Sequence, residues 1–401
     1  MDRENNSQSP LVSLVVNDLA DNGFGRAFLL GRMLEPEFRI EVVGFARGPT
    51  WLPCRDHGWP EKSVPWPSSG EIRQAVKTLS GMVEGDVILL CKPLPLVLDV
   101  GERSARKLDR PRVLDIDDWE LGWFYPLRFR KVISLLLRKR GEPNNLYRVW
   151  RAEHRARRQP TRLVSNRFLQ ERFGGTHIPH ACDTEELDPA RFPGRDDACR
   201  RLGLDPEKHW VGFIGSPKPH KGIDILAKAM ASLGRKDAGV LIAGADRDNP
   251  DIVQLRFRYG TLVETRPPFP KTGLGMVLSA LDIAALPQRD LPSNRGQMPA
   301  KVFDAMAMKI PVVASAISDL PEALDGCGVI VPPDQPEALA REIGRLLDNP
   351  DRRQRLGSLG RERCLERYSQ SAVSPRLRQA IRASVRRKTE PASGRLPVFL
   401  G

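Results

Sequence analysis

Two stretches of this chain, about two hundred residues apart, share one grammar: an apolar run suited to a buried strand, a glycine loop, and then an apolar helix pattern. The first is Leu11-Val-Ser-Leu-Val-Val-Asn17 followed by Asp21-Asn-Gly-Phe-Gly-Arg-Ala27, and the second is Val211-Gly-Phe-Ile-Gly-Ser-Pro-Lys-Pro-His-Lys-Gly222. Further strand candidates at Arg39 to Gly44, Asp86 to Leu90, Arg112 to Ile116 and Arg162 to Ser165 are separated by helix-length segments. Such alternation predicts an α/β protein built on doubly wound parallel sheets. A length of 401 residues exceeds what one core usually serves, and two domains of roughly 180 residues each can bury enough apolar surface to stand independently. The linker is expected around Asp183 to Asp205, where Asp188-Pro-Ala-Arg-Phe-Pro-Gly-Arg-Asp-Asp197 is rich in breakers.

The second stretch has the makings of a phosphate cradle. Gly215 can bring backbone N–H groups close to an anion, the following helix offers its positive N-terminal end, and Lys221 adds a full charge. Glycine in such a turn also serves a purely steric need. About eighty residues on, Pro299-Ala-Lys-Val-Phe-Asp-Ala-Met-Ala-Met-Lys-Ile-Pro-Val-Val-Ala-Ser315 reads as a helix followed by a strand. Lys301 and Asp304, three apart, share one helix face and could hold a diphosphate and a ribose. Alone, they would equally be an exposed surface ion pair.

From about Trp210 to Tyr368, and more loosely before it, the chain resembles the retaining nucleotide-sugar glycosyltransferases of family 4, which have the GT-B fold. The matching pieces are Gly215 with Lys221 and Gly222, Val240-Leu-Ile-Ala-Gly-Ala-Asp246, Pro299 to Ser315, the Ile178-Pro-His-Ala-Cys-Asp-Thr-Glu185 hinge and the closing Glu362-Arg-Cys-Leu-Glu-Arg-Tyr-Ser369. The resemblance implies two Rossmann-like domains facing a cleft. Residues 1–190 would bind the acceptor and residues 191–368 the nucleotide sugar; residues 369–388 would form a helix crossing back, and 389–401 a flexible tail. Nucleotide-sugar contacts are then expected from Gly215, Ser216, Lys218, Lys221, Gly244, Pro268, Gln297, Met298, Pro299, Ala300, Lys301 and Asp304, with the base near Arg266-Pro-Pro-Phe-Pro270. The first-domain loop of Gly23, Phe24, Gly25 and Arg26 would approach the diphosphate from across the cleft.

Departures accompany these matches. The family pattern has two glutamates eight positions apart, the first touching the donor sugar; here the second position is Asp304 and the first is Gly296. Ser216 and Pro217 replace a usual arginine, for which Lys218 can substitute, and Lys309 with Ile310 replace the glycine before Pro-Val-Val.

In the first domain Val113-Leu-Asp-Ile-Asp-Asp-Trp-Glu120 clusters carboxylates where a strand ends, which is where open parallel sheets bind ligands. Asp117 falls where many family members carry a histidine, with Asp118 next to it. Close carboxylates raise one another's proton affinity, so one of them could take an acceptor proton or pin sugar hydroxyls. Asp115, Asp117 and Asp118 could instead cap the next helix, and a divalent metal is a weaker alternative. His180 can lie at the cleft, or be an exposed hinge histidine.

Composition limits the partners. Six cysteines stand without a Cys-x-x-Cys pair and the six histidines without metal-ligand spacing, so reduced thiols, no zinc site and no bound metal are expected. The polar N-terminus and the lack of any apolar run approaching about 18 residues predict a cytoplasmic protein. Formal net charge is +13. The segment from Arg128 to Arg140, basic at both ends and apolar between, reads either as an element for an anionic membrane at the inner face or as an ordinary packed helix with a solvated basic side. Nucleic-acid motifs are absent, so nucleic acid is not an expected partner. Trp51, Trp59, Trp66, Trp119 and Trp123 sit in loop-like contexts, where rings stack on an acceptor glycan or fill the core.

The expected activity is transfer of a sugar, with retention, from a UDP- or GDP-sugar to a glycan, lipid-linked or small-molecule acceptor in cell-surface polysaccharide or glycoconjugate synthesis, with no cofactor. Lys221 and Lys301 would stabilise the departing diphosphate, and Asp117 or Asp118 would act at the sugar. An epimerase of the same fold and a non-catalytic binding partner remain the other two readings.

Overall fold

The computed structural model describes residues 9–125 and 142–389. Among these residues thirteen strands form two wholly parallel sheets. The first lobe contains β1 (Leu11–Val16), β2 (Arg39–Ala46), β3 (Glu61–Pro65), β4 (Val87–Cys91), β5 (Arg112–Ile116), β6 (Thr161–Val164) and β7 (Thr176–His177), in the order β3-β2-β1-β4-β5-β6-β7. The second contains β8 (His209–Ile214), β9 (Ala238–Ala243), β10 (Val263–Arg266), β11 (Ile283–Leu286), β12 (Val312–Ser315) and β13 (Val329–Val331), in the order β10-β9-β8-β11-β12-β13. The central strands are near-continuous apolar runs because helices cover both faces; Val87–Cys91 and Ala238–Ala243 are buried at every position.

Sequence order reverses between β1 and β4 in one sheet and between β8 and β11 in the other. At such switch points the loops leaving the strand ends part and open a crevice. In the first lobe these loops begin at Asn17 and Lys92; in the second they begin at Gly215 and Pro287.

Two edge strands carry no buried-strand signature. β3 is Glu-Lys-Ser-Val-Pro, charged and proline-ended as an edge tolerates, and β7 is two residues long. The segment 183–205, whose composition suggests a linker, is folded for much of its length. It holds a 3-10 turn at Pro189–Arg191 and a helix at Arg195–Arg201, and Ala198, Cys199 and Leu204 pack with Trp210 in the second core. That helix has Asp196 and Asp197 in its first turn and Arg200 and Arg201 in its last, which suits the helix dipole.

The chain crosses between lobes twice, side by side. Cys182 N–H donates to Tyr368 O at 2.7 Å, and Gln370 N–H donates to Cys182 O at 2.9 Å. Beyond this crossing the helix Gln370–Thr389 lies on the first lobe, where Val373, Leu377 and Ile381 join the core of Phe24, Leu30 and Leu34. All six cysteines are buried free thiols.

Candidate active site

Between the lobes lies a cleft of about 670 Å³, lined by both. On the second-lobe wall, Gly215 leaves β8 with φ +127°, and Gly244 leaves β9 with φ +108°. A Cβ on Gly244 would lie 3.1 Å from the Gly215 carbonyl carbon, so the two turns stack and only glycines fit. The chain then makes a 3-10 turn at Pro219–Lys221 and reverses at Gly222, φ +68°, into the helix Ile223–Leu233. Lys221 Nζ donates to Ser216 O at 3.0 Å and stands 5.9 Å from the centre of the Phe213 ring. Burial, and then the charges of Lys218 and Lys301, push its ammonium down to about 8, and Asp118 across the cleft only partly offsets them. Lys301 opens the helix Lys301–Ala307, with Nζ 3.5 Å from Asp304 Oδ2. Three lysines converging on a partly dry cleft, with the charge of Lys221 disfavoured by the other two, make a site that favours an anion.

The first-lobe wall is built on a lysine. Lys92 follows β4 with φ +82°. Its Nζ is paired with Asp118 and lies 3.5 Å from Asp117 Oδ1 and 3.4 Å from Glu120 Oε1. Burial disfavours the Lys92 charge, yet the three carboxylates raise its proton affinity well above the ordinary lysine value. Asp118, despite burial, is held below the usual carboxylate value by Lys92 and by a hydrogen bond from Gln297 Nε2 at 3.0 Å. Burial pushes Asp117 up to about 8; Lys92 and Arg26 pull against it, and the charges of Asp118 and Asp115 add to the rise. Its Oδ1 is buried without a hydrogen-bond partner. Asp115, Asp117 and Asp118 do not cap a helix: the 3-10 turn Glu120–Phe124 has no side-chain cap. His180 lines the cleft as a neutral ring, lowered to about 3 by burial and then by Arg26, and burial with Lys221 and Lys218 lowers His220 to about 4.

The lobes meet along a seam beside these groups. A Cβ on Gly296 would lie 2.5 Å from Trp119 Cβ, and one on Gly122 would lie 2.9 Å from Ser293 Cα. The Trp123 ring packs edge-on to His220 at 4.7 Å, and Asn294 Nδ2 donates to His220 O at 2.9 Å. Gln297 and Asp118 complete the contact.

Gly23, Gly25, Asp117, Asp118, Gly215, Ser216, Lys218, Lys221, Gln297, Met298, Pro299, Ala300, Lys301 and Asp304 line the cleft together. Three expected residues stand elsewhere. Phe24 is fully buried in the first core, edge-on to His57, because it is the inward position of the helix Phe24–Leu34. Gly244 supports Gly215 from behind, and Pro268 is exposed away from the cleft. Arg26 reaches the cleft wall, but its guanidinium is committed inward to Asp115 and to the carbonyls of Ile178 and Pro179. The Arg128–Arg140 segment lies outside the described residues. Lys92 and Gln288, which belong to no recognisable motif, also line the cleft, as do Glu120 and Trp123 from the carboxylate cluster and the loop tryptophans; the one sequence signal for Lys92 is its place just past the expected Asp86 to Leu90 strand.

Two parallel-sheet α/β lobes facing a cleft define the GT-B fold. The Anabaena protein Alr3699/HepE, crystallised with UDP-glucose, superposes with a TM-score of 0.72 over 93% of this chain and 100% of its own, at 16% identity. Residues 208–349, the bulk of the second lobe, match the family model described as Glycosyl transferases group 1. Among curated proteins, D-inositol 3-phosphate glycosyltransferase of Segniliparus rotundus is 33% identical over 244 residues, 56% of this chain and 53% of that protein. A GDP-mannose-dependent monoacylated alpha-(1-6)-phosphatidylinositol monomannoside mannosyltransferase of Corynebacterium glutamicum is 25% identical over 218 residues, 52% of this chain and 56% of that one. The chain thus spans about half the length of the curated relatives it matches. Among the described residues no helix is long and apolar enough to cross a membrane.

Proposed function

We propose that this protein is a glycosyltransferase that moves a sugar, with retention, from a UDP- or GDP-sugar to a glycan, lipid-linked or small-molecule acceptor held against the first lobe. The observation that carries the reading is the half-buried Lys221, its charge disfavoured by partial burial and then by Lys218 and Lys301 in a glycine-lined turn at a sheet's switch point. A nucleoside diphosphate relieves that repulsion. As the sugar–phosphate bond breaks, negative charge grows on the leaving oxygen, and Lys221, Lys301 and the amides near Gly215 stabilise it where it develops. Asp304, one turn into its helix, takes the ribose. Because lysines meet the leaving charge, the reaction runs without a metal.

The acceptor attacks from the face that the nucleotide leaves, and the closed seam excludes water, which competes as an acceptor. Trp51, Phe28 and Leu29 line the first-lobe end of the cleft and supply an apolar surface for an acceptor's ring or chain. D-inositol 3-phosphate and phosphatidylinositol mannoside, named for the relatives, are the first acceptors to try. We place the enzyme in cell-surface glycoconjugate synthesis, on the cytoplasmic side, with the basic 128–140 segment meeting anionic lipid; pelleting with anionic liposomes tests this.

The decisive experiment follows nucleoside diphosphate release from UDP- and GDP-sugars in the presence of EDTA. Turnover is expected to persist in the chelator. Lys221→Ala is expected to lower it about a hundredfold, corresponding to the loss of about 3 kcal/mol at the transition state. A Lys221→Ala variant within a few-fold of the parent overturns the assignment.

A further inference from the structure

A second cavity, of about 1400 Å³, is larger than the cleft and has no part in the activity proposed above. It is a groove over the helix Pro95–Leu108, walled by the helices Ile72–Met82 and Leu146–Ala156. Both carboxylates in its wall, Asp99 and Glu102, are taken by Arg155, at 2.7 and 2.9 Å. Among the described residues no carboxylate pairs with Arg73, Arg103, Arg106, Lys107, Arg148 or Arg151, which line the same groove. Arg103 with Arg106 and Lys107, and Arg148 with Arg151, stand three or four apart on their helices, a spacing at which like charges weaken a helix. A bound anion would offset that cost. The 126–141 stretch, which precedes the third of these helices, has no Asp or Glu in its sequence and so brings no counter-charge.

Guanidinium and ammonium groups donate hydrogen bonds and accept none, and the guanidinium fork meets phosphate or carboxylate oxygens in pairs. Beside them Tyr147, 54% exposed, stacks with Trp150 at 6.2 Å and lies under Arg151 at 5.8 Å, so an open aromatic face adjoins the cations. The groove also borders the cleft. Leu94 and Asn144 line the cleft while the next residues, Pro95 and Asn145, line the groove, and Val149 and Arg148 divide in the same way. A broad lipid surface meets protruding side chains, whereas a recess between helices admits a narrow chain.

We propose that this groove is a binding site for an anionic saccharide chain, whose phosphate or carboxylate groups rest on the unpaired guanidiniums and one of whose sugar rings lies on Tyr147. The choice of a saccharide rests on the transferase reading above, because the groove runs up to the edge of the cleft where the acceptor is placed; the charge of the ligand does not depend on that reading.

The test is isothermal titration of the full chain at about 0.15 M salt with a heparin-derived hexasaccharide as the probe, and with maltohexaose, hexaglutamate and phosphatidylglycerol vesicles beside it. One hexasaccharide is expected to bind per chain, and maltohexaose not at all. Arg103→Gln/Arg106→Gln/Arg151→Gln is expected to weaken the hexasaccharide tenfold or more, while Lys228→Gln/Arg258→Gln/Arg345→Gln, which removes the same charge from exposed second-lobe positions, stays within twofold. Melting temperatures near the parent's show that both variants are folded. Saturating hexasaccharide should leave UDP and GDP affinity unchanged, since the lysine cradle is a separate site. Equal losses in the two variants would mean that net charge alone attracts the probe, and displacement of the diphosphate would put the probe on the lysine cradle; either overturns the proposal. So does hexaglutamate bound as tightly as the hexasaccharide, or groove-dependent binding of the vesicles without binding of the hexasaccharide. A parent protein that holds the hexasaccharide in the groove but binds neither UDP nor GDP keeps this site and overturns the nucleotide reading instead.

Discussion

Arg26 and Asp115 are locked together inside the first lobe, their side chains 1% and 0% exposed, through two hydrogen bonds of 3.2 and 3.0 Å. The remaining donors of Arg26 hold the carbonyls of Ile178 and Pro179, which lead into the crossing between lobes. The arginine therefore fastens the glycine-loop helix to β5 and to the hinge. Arg26→Leu strands a buried carboxylate and two carbonyls, a loss of about 3–5 kcal/mol. Every tryptophan but Trp210 belongs to the first lobe, so urea unfolding followed by indole fluorescence reports on this lobe. A midpoint unchanged from the parent would show that the pair carries no stability.

The depressed Lys221 ammonium makes nucleotide binding a proton-linked event. In the free protein, burial and the charges of Lys218 and Lys301 hold it at about 8. A diphosphate resting on it favours the charged form, so the bound value is higher than the free one and binding takes up a proton between the two. Affinity for UDP or GDP is thus expected to be full below about pH 8 and to fall as pH rises above it. Titrations at pH 8 in buffers of different ionisation enthalpy should show fractional proton uptake. Lys218→Gln removes one repelling charge and should move the onset of the decline to higher pH. Affinity that stays level from pH 7 to 9 contradicts this account.

Sequence reasoning reached as far as local pattern reaches. The turn at Gly215 and the Lys301 helix start are contiguous patterns of strand, glycine and helix, and neighbours in sequence settle them. Lys92 gave no such signal, since its three carboxylates arrive from a loop 25 to 28 residues later. Arg26 looked like a phosphate ligand because it follows a glycine loop; its partner Asp115 is 89 residues away. Phe24, expected in the glycine loop, is the first residue of the helix Phe24–Leu34, which begins inside that loop and turns the ring inward. β3 and β7 were invisible because an edge strand needs no two-faced apolar run.

The helix Gln370–Thr389 is a structural part of a lobe whose last strand ended at His177. Leu377 is wholly buried among first-lobe side chains, and Arg378 Nε donates to Met33 O at 2.8 Å. Leu377→Ala removes about 2–5 kcal/mol through lost burial and the cavity left behind. The loss should fall on the fluorescence-detected transition of the first lobe. A variant whose instability instead appears in a second-lobe probe, such as protection of the β8 and β9 amides from hydrogen exchange, would place the helix elsewhere.

Gly296 fixes how closely the lobes approach. Its own Cβ would meet Trp119 Cβ at 2.5 Å, and Trp119 cannot yield easily, because its Nε1 donates to Glu153 at 2.9 Å and Arg172 packs over its ring at 4.3 Å. Gly296→Ala must therefore part the seam that Gly122 and Ser293 also form. The second-lobe core is untouched, and in the first-lobe core the strain falls on Trp119 at its cleft edge, so the melting temperature should change less than sugar transfer does. The relations across the cleft should suffer instead: the Gln297 to Asp118 hydrogen bond stretches, Trp123 moves off His220, and water enters. Expected results are a larger radius of gyration by small-angle scattering, at least a tenfold loss of sugar transfer, and near-parental affinity for the free diphosphate, whose lysines lie within the second lobe. Gly296→Glu, which restores the acidic residue of the related pattern, should be worse than alanine, because the longer side chain enters the same occupied space. A glutamate variant more active than the parent would mean that the seam opens freely and that Trp119 does not govern what this position can hold.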